Sequence, residues 1–536
     1  MPILPPKRFL AGIALLLLIA LIRVAATHHV FATVVDEPAH VAAGMEWLSG
    51  KYRIDASHPP LARILGALPL WLRGDPMPEG RTMIGIGLEI VYHGMKDAAD
   101  YVRTLRLFRL PNLLLLAIAI VATAAWARRA FSDATALISV ALLTNVPPVL
   151  AHAGFLTTDT AGLAAIPLFS YTLDRYLERP DTRRGIVLGA AIGFGLLTKF
   201  SFLPFGLVSA FIVVMARSPR RFRWQSFAAA AGVAFLMLWS GYRFDFRTPL
   251  DYDGEHAVTM IREGTPPALQ PAAEWMARTI PIPAPAFVTG LAIVAAHDRI
   301  GHTAYLLGEV QSTGWWYYFP VLLFYKTPIP FMFFALWGCV CLLRERQRHR
   351  IAFIAVPLAI LLVAMSSAIN IGLRHILPLY APLSIVAAYG VVRIWTQARD
   401  AFGRTMLAAL VVWLLINTSL AHPDYLAWFN EAAGATPHRI AVDSNLDWGQ
   451  DVLRLARLQE ELRLEPLSID ISSSTLFERH NLFPPPNLDA NAPIHGWLAV
   501  SETVYALKRA QGAYGWLDQY RPVRRIGKSI RLYRLP

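Results

Sequence analysis

The chain has 536 residues, 55% of them hydrophobic and only 16% charged, where soluble globular chains carry about 25% charged residues. That deficit excludes a single large water-soluble core and calls for lipid-facing surface. The 50 Lys+Arg against 37 Asp+Glu leave a formal +13, but the basic residues cluster between apolar runs, as in the cytoplasmic loops of membrane proteins, which argues against nucleic acid as a partner.

Apolar runs near spanning length fall at about 9–27, 107–126, 134–151, 158–177, 185–199, 201–216, 226–243, 318–342, 351–368, 373–394 and 404–421, which predicts about eleven spans. The first follows Lys7-Arg8 and reads as a retained helix rather than a signal peptide. The fifth and sixth meet at a tight turn around Thr198-Lys199. Basic clusters at Lys7-Arg8, Arg128-Arg129, Arg179 to Arg184, Arg217 to Arg223, Arg344 to Arg350 and Arg393 to Arg404 recur at every second loop. That side is assigned to the cytoplasm, with the N-terminus. Two long loops, 28–106 and 244–317, then lie outside, as does the tail after Ala421.

The fold expected is mainly α: a polytopic membrane bundle over 1–421 with a small periplasmic α/β domain over 422–536. In that tail "RIAV", "LSIDIS", "GWLAVS" and "RRIGKSIRLYRL" read as strands. "DVLRLARLQEEL" reads as a helix that Asn445 or Ser444 could cap. Cys339 and Cys341, two apart on a helix, point in different directions and predict neither a disulfide nor a metal site.

The chemistry is sought on the outer side. "VVDEPAH" follows the first span, and its adjacent Asp36 and Glu37 are costly at a bilayer surface unless a partner or a task keeps them there. A positioned carboxylate can serve as general base toward an acceptor hydroxyl; otherwise Asp36 is a helix cap before Pro38. "HPPL" opens an amphipathic stretch expected on the membrane surface; its His58 either contacts a lipid phosphate or sits at a turn, and Arg63 and Arg73 are read as snorkelling to headgroups. "HAGFLTTDTAGL" places Asp159 at the outer mouth of the bundle, as a second acidic site or as an N-cap, a job that Thr157 or Thr158 could also do. Lys199 in "GLLTKFS", Lys326 in "FYKTPIP" and Arg374-His375 in "IGLRHILP" are cations at membrane depth and call for anionic partners: a phosphate leaving group, or an internal carboxylate. In the tail, Asp443, Asn445, Asp447, Trp448 and Gln450 of "VDSNLDWGQD" form a polar-aromatic cluster suited either to binding a sugar or to building a turn.

Taken together, the "DE" pair after the first span, "HPPL", "TTD", "LTK" and "GLRHILP" resemble the C-type glycosyltransferases. The nearest branch is that of the bacterial relatives of protein O-mannosyltransferases and of the lipid A aminoarabinose transferase, over roughly residues 1–420. The resemblance implies a bacterial inner-membrane enzyme with a polyprenyl-phosphate sugar as donor and a protein, lipid or glycan as acceptor. It implies Asp36 as base, Glu37 supporting it or the substrate, and Asp159 arranging acceptor, donor or a divalent metal, with Asp36 and Asp159 as the metal's ligands. His58 stands where family members carry a lysine near the lipid phosphate, so that role shifts toward Lys199 or Arg374. One carboxylate base plus cationic stabilisation of the leaving phosphate suffices for direct, inverting displacement, whereas glycosidases generally need two carboxyl groups. The alternatives are a transporter or flippase, which predicts repeats and midplane-broken helices, and a non-catalytic envelope assembly factor.

Overall fold

The computed structural model describes residues 5–50, 56–80, 82–217, 223–398, 400–484 and 488–536. Residues 51–55 and 81 of the first long loop, 218–222 of one basic segment and 399 of another therefore lie outside the description. Each apolar run becomes helical: Pro6–Ala25, Asn112–Ala130, Asp133–Leu143 with Pro147–Ala153, Asp159–Glu178, Thr182–Thr198, Phe202–Arg217, Trp224–Gly241, Tyr318–Lys326 with Ile329–Glu345, Arg348–Ala364, Tyr380–Gln397 and Ala401–Leu420.

Four helical stretches among the described residues are long and apolar enough to cross a membrane alone, or up to six if each of two bent pairs forms one span. This is fewer than the eleven runs. Thr182–Thr198 and Arg348–Ala364 have 17 residues and Phe202–Arg217 has 16, roughly 24–26 Å of rise against a hydrocarbon core of about 30 Å. The run 318–342 is not one straight helix: it turns by 113° between Lys326 and Ile329. Thr327 precedes Pro328 and is held extended, at φ −104° and ψ 135°, because the proline ring crowds the α conformation of the residue before it.

The helix Asp159–Glu178 fixes the two ends of the bundle. Its last turns meet the basic loops, with Asp174 accepting from Arg129 Nε (2.6 Å) and from Arg217, and Glu178 accepting from Arg129 Nη2 (2.7 Å). Asp159 lies fifteen residues earlier, roughly 22 Å away along the axis. The acidic residues singled out above thus sit at the end remote from the basic loops.

The first long loop folds into helices Glu37–Leu48, Leu61–Arg73, Met83–Val91 and Ala98–Arg109. Glu37–Leu48 is held close to Met83–Val91 because Gly87 carries no side chain: a Cβ there would lie 1.9 Å from the Pro38 carbonyl oxygen. Leu61–Arg73 is amphipathic as expected, but neither of its arginines merely snorkels. Buried Arg63 donates from Nε to His40 Nδ1 (3.1 Å), and Arg73 chelates Asp75 at 2.8 and 2.6 Å. The second long loop contributes helices Pro249–Gly264, Gln270–Thr279 and Pro285–Ile300 and a hairpin, Ala304–Leu306 with Glu309–Gln311.

The tail forms a four-stranded sheet in the order Leu467–Asp470, Gly496–Ser501, Ile530–Leu535, Arg524–Ile526. Its first pair is parallel and the others antiparallel. The helix Val452–Leu462 falls where expected, but it starts at Asp451 with no side-chain cap, so neither Ser444 nor Asn445 caps it. "RIAV" is not a strand of this sheet. Pro437 opens a 3-10 turn through Arg439, and the Ile440 carbonyl accepts the Leu307 N–H of the loop hairpin. Two cores lock the tail in place: Tyr425, Leu426, Trp428 and Trp448 pack into the bundle core, while Leu455, Leu532 and their neighbours share a core with Ile86, Tyr101 and Leu105 of the first loop.

Candidate active site

Asp36 ends the extended loop that precedes Glu37–Leu48. It occupies the N-cap position without capping the helix through its side chain. Its carboxylate instead turns to Arg374, whose Nη1 donates to Asp36 Oδ2 at 2.6 Å. The same Nη1 lies 3.9 Å from Asp159 Oδ2. Asp159 in turn accepts from Lys199 Nζ at 2.5 Å, and neither it nor Thr158 caps the helix through its side chain. Four residues scattered over 338 positions therefore form one chain of alternating charge, Asp36–Arg374–Asp159–Lys199. Asp36 is its most exposed member: its side chain is 32% exposed and that of Asp159 2%. The solvent-facing end is the carboxylate, where an acceptor hydroxyl can approach.

Glu37 faces the other way. It and Arg109 are both 0% exposed, with Arg109 Nε donating to Oε1 (2.8 Å) and Nη2 to Oε2 (2.6 Å). Glu37 also accepts the N–H groups of Val34 (3.0 Å) and Leu156 (2.9 Å). Arg109 donates further to the Phe31 and Ala32 carbonyls. Glu37 is thus the knot that ties the Asp36 loop to the helix Ala98–Arg109 and to the turn before Asp159. Sequence reasoning overlooked Arg109, although an arginine opening an apolar run was the available signal.

The other cations divide. Lys326, 2% exposed, spends its ammonium on the carbonyls of Leu426 (2.7 Å), Trp428 (2.5 Å) and Asn445 (2.6 Å). With its three donors spent in this way, Lys326 fastens the tail to the break after Tyr318–Lys326. His375 lies within electrostatic reach of Lys199, Arg374, Asp159 and His152. Its Nε2, His152 Nδ1 and Arg374 Nε are buried without a hydrogen-bond partner. The His58 ring lies 5.2 Å from that of His40, and its carbonyl accepts from Arg63 (3.3 Å).

The tail cluster also divides. Asn445 accepts the Leu373 N–H (2.9 Å) and donates to Tyr318 Oη (3.2 Å). Asp447 accepts the Thr503 N–H (2.8 Å), and Gln450 is spent on Trp448 N–H (2.7 Å) and the Leu446 carbonyl (2.9 Å). All three are buried, and these polar atoms bond to other groups of the protein. Trp448 touches Arg374, and Asp443 is electrostatically coupled to Arg374 and Asp36. Burial pushes the Asp443 carboxyl up to about 6, with Arg374 opposing and Asp36 adding to the rise. The Trp448 ring lies under the Arg374 guanidinium, 4.3 Å from its centroid. From the second long loop, His302 contacts His297 at 3.2 Å. Burial, then His297 and Arg374, hold its imidazole below the ordinary range, and Asp36 opposes them.

A divalent metal does not fit these residues. Asp36 and Asp159 each face a cation of the protein, and among the described residues no group of three or more His, Cys, Asp or Glu is arranged to hold an ion.

Residues 103–241 match the family model described as dolichyl-phosphate-mannose-protein mannosyltransferase, a segment that contains Arg109, Asp159 and Lys199. No curated protein matches the chain. Among solved structures, ArnT from Cupriavidus metallidurans bound to undecaprenyl phosphate is similar at 13% identity and a TM-score of 0.50, covering 97% of each chain. The archaeal oligosaccharyltransferase AglB from Archaeoglobus fulgidus, solved with an inhibitory peptide and a dolichol-phosphate, matches at 14% identity and a TM-score of 0.46, over 83% of this chain and 58% of that one. The motif-based resemblance meets that family's model over residues 103–241, and the chain as a whole has a fold similar to that of ArnT. The chain is a multi-pass membrane protein with a fold similar to that of ArnT.

Proposed function

We propose that the protein is an inverting glycosyltransferase that moves a sugar from a polyprenyl-phosphate donor to an acceptor at the periplasmic face of the bacterial inner membrane. The observation that carries this reading is the Asp36–Arg374–Asp159–Lys199 chain at the end of the bundle remote from the basic loops. The placement of those loops supports the side, since short basic loops mark the cytoplasm. The same reading keeps the eleven-run topology and a periplasmic unit after residue 421. That ArnT was solved with undecaprenyl phosphate supports a lipid-linked donor.

Asp36 takes the proton of the acceptor hydroxyl as its oxygen attacks the anomeric carbon. The bond to the phosphate oxygen breaks, and the leaving phosphate carries the electron pair away. Arg374 and Lys199 stabilise that charge: Arg374 retains an unpaired Nε–H, and a donor aimed at developing charge is worth about 10²–10³ in rate. Asp159 holds both cations in place. Glu37 acts at one remove, by fixing the loop that presents Asp36.

The test is single-turnover transfer by purified protein in detergent from polyprenyl-phosphate sugars of defined anomeric configuration. The reading predicts a product of inverted configuration, and an Asp36→Asn protein that binds undecaprenyl phosphate normally yet transfers nothing. Unchanged turnover by Asp36→Asn, or retained configuration, would overturn it.

A further inference from the structure

We infer that Trp448, in the exported tail, is a positioning residue that acts through Arg374 and sets the geometry of the Asp36 base. This rests on the proposed transfer reaction and extends it to a part of the chain outside the matched segment 103–241.

Arg374 is under-held by its hydrogen bonds. One guanidinium nitrogen reaches Asp36 at 2.6 Å, while Nε is buried without a partner. A single bond through Nη1 leaves the plane of the group free to rotate. The indole face of Trp448, 4.3 Å from the guanidinium carbon, supplies a broad contact that fixes that plane, and a desolvated cation–π pair is among the stronger contacts of its kind. The indole is itself wedged edge-on between His152 and Phe155, with ring centroids at 6.1 and 6.4 Å.

The backbone closes the same circuit. The Trp448 carbonyl accepts the Val35 N–H at 3.2 Å, one residue before Asp36, and the Gln450 carbonyl accepts the Ala32 N–H at 2.9 Å. Upstream in the tail, Ser444 Oγ donates to the Ile371 carbonyl (2.5 Å), and Asn445 Oδ1 accepts the Leu373 N–H (2.9 Å). The segment 444–450 therefore holds the strand of chain leading to Arg374 and the one leading to Asp36, and Trp448 touches both. A tail that only bound an external partner would have no need to bond the two backbones that carry the reacting pair.

The experiment compares Trp448→Leu, Trp448→Met and Trp448→Phe for transfer from a polyprenyl-phosphate sugar, alone and in an Arg374→Gln background. The Leu and Met proteins are expected to lose about 2- to 30-fold in kcat, and Phe, which keeps a π face, to recover most of that loss. In Arg374→Gln the same substitutions are expected to add no further loss, because the contact they remove is already gone. Met fills the site without a ring and carries the test if the Leu protein does not fold. Equal losses for Met and Phe, or the same fold-loss with and without Arg374, would overturn the inference. Transfer abolished by Asp36→Asn but indifferent to Trp448→Met would sink this inference alone, whereas transfer surviving Asp36→Asn would sink the reaction it rests on.

Discussion

Changing Glu37 to Gln separates a structural carboxylate from a catalytic one. Glu37 and Arg109 are both fully buried and joined by two hydrogen bonds, and Glu37 also accepts two backbone N–H groups. Gln keeps the shape but removes the charge, leaving the guanidinium of Arg109 buried without its counter-ion and turning one acceptor into a donor that faces donors. Breaking a buried pair from one side costs about 3–5 kcal/mol. Removing both partners together costs less, since no uncompensated charge remains. The measurement is thermal inactivation in detergent of Glu37→Gln, Arg109→Met and the double variant Glu37→Leu/Arg109→Met. The single variants should be markedly destabilised, the double less so than the sum, and any folded Glu37→Gln should retain transfer well above Asp36→Asn. A Glu37→Gln protein of wild-type stability that is catalytically dead would refute this placement and return Glu37 to the reacting groups.

Lys326→Met strands three backbone carbonyls that the ammonium now satisfies, at about 1–3 kcal/mol for each orphaned group; the tail beyond residue 421 should then be cut faster in limited proteolysis, with no change expected if the lysine instead faces a ligand. Gly372→Ala would place a Cβ 2.1 Å from Ser444 Oγ, two residues before Arg374, and should lower turnover more than donor affinity in titrations with undecaprenyl phosphate. Burial pushes the Asp447 carboxyl up to about 7, above its unfolded value of about 3.9. The folded state then binds more protons than the unfolded one between about pH 4 and 7, so this group's contribution is fully present at low pH and lost as pH rises through 7. Asp447→Asn should accordingly flatten the decline in thermal stability from pH 5 to pH 8; an unchanged slope would show that the carboxyl is not held protonated.

The apolar runs were legible because hydropathy over some twenty residues reports directly on lipid exposure. The gathering of Asp36, Asp159, Lys199 and Arg374 at one end agrees with the expectation drawn from the alternating basic loops, which puts all four on the side away from those loops. What sequence could not settle was direction at close range. Lys326 and Lys199 are both cations beside apolar helices, yet one meets carbonyls of the distant tail and the other a carboxylate forty residues away, pairings set by packing that no local pattern displays. Asn445, Asp447 and Gln450 have the composition of a sugar site, but their polar atoms point inward to backbone groups. "RIAV" has strand propensity, but Pro437 starts a turn and the loop hairpin claims Ile440 first. Arg109 opens an apolar run, which marks it as needing an anion, but its partner, Glu37, lies 72 positions away, so no local pattern identifies the pair.

On the proposed reading, the lipid-linked sugar is cleaved and transferred with Asp36 as base, rather than moved intact across the membrane. Release of free polyprenyl phosphate from a polyprenyl-phosphate sugar, measured on purified protein in sealed vesicles, tests this most directly. Release in step with glycosylated acceptor is expected of the wild type, and none of Asp36→Asn. Intact donor carried across the bilayer without cleavage, or equal release by both proteins, would contradict it.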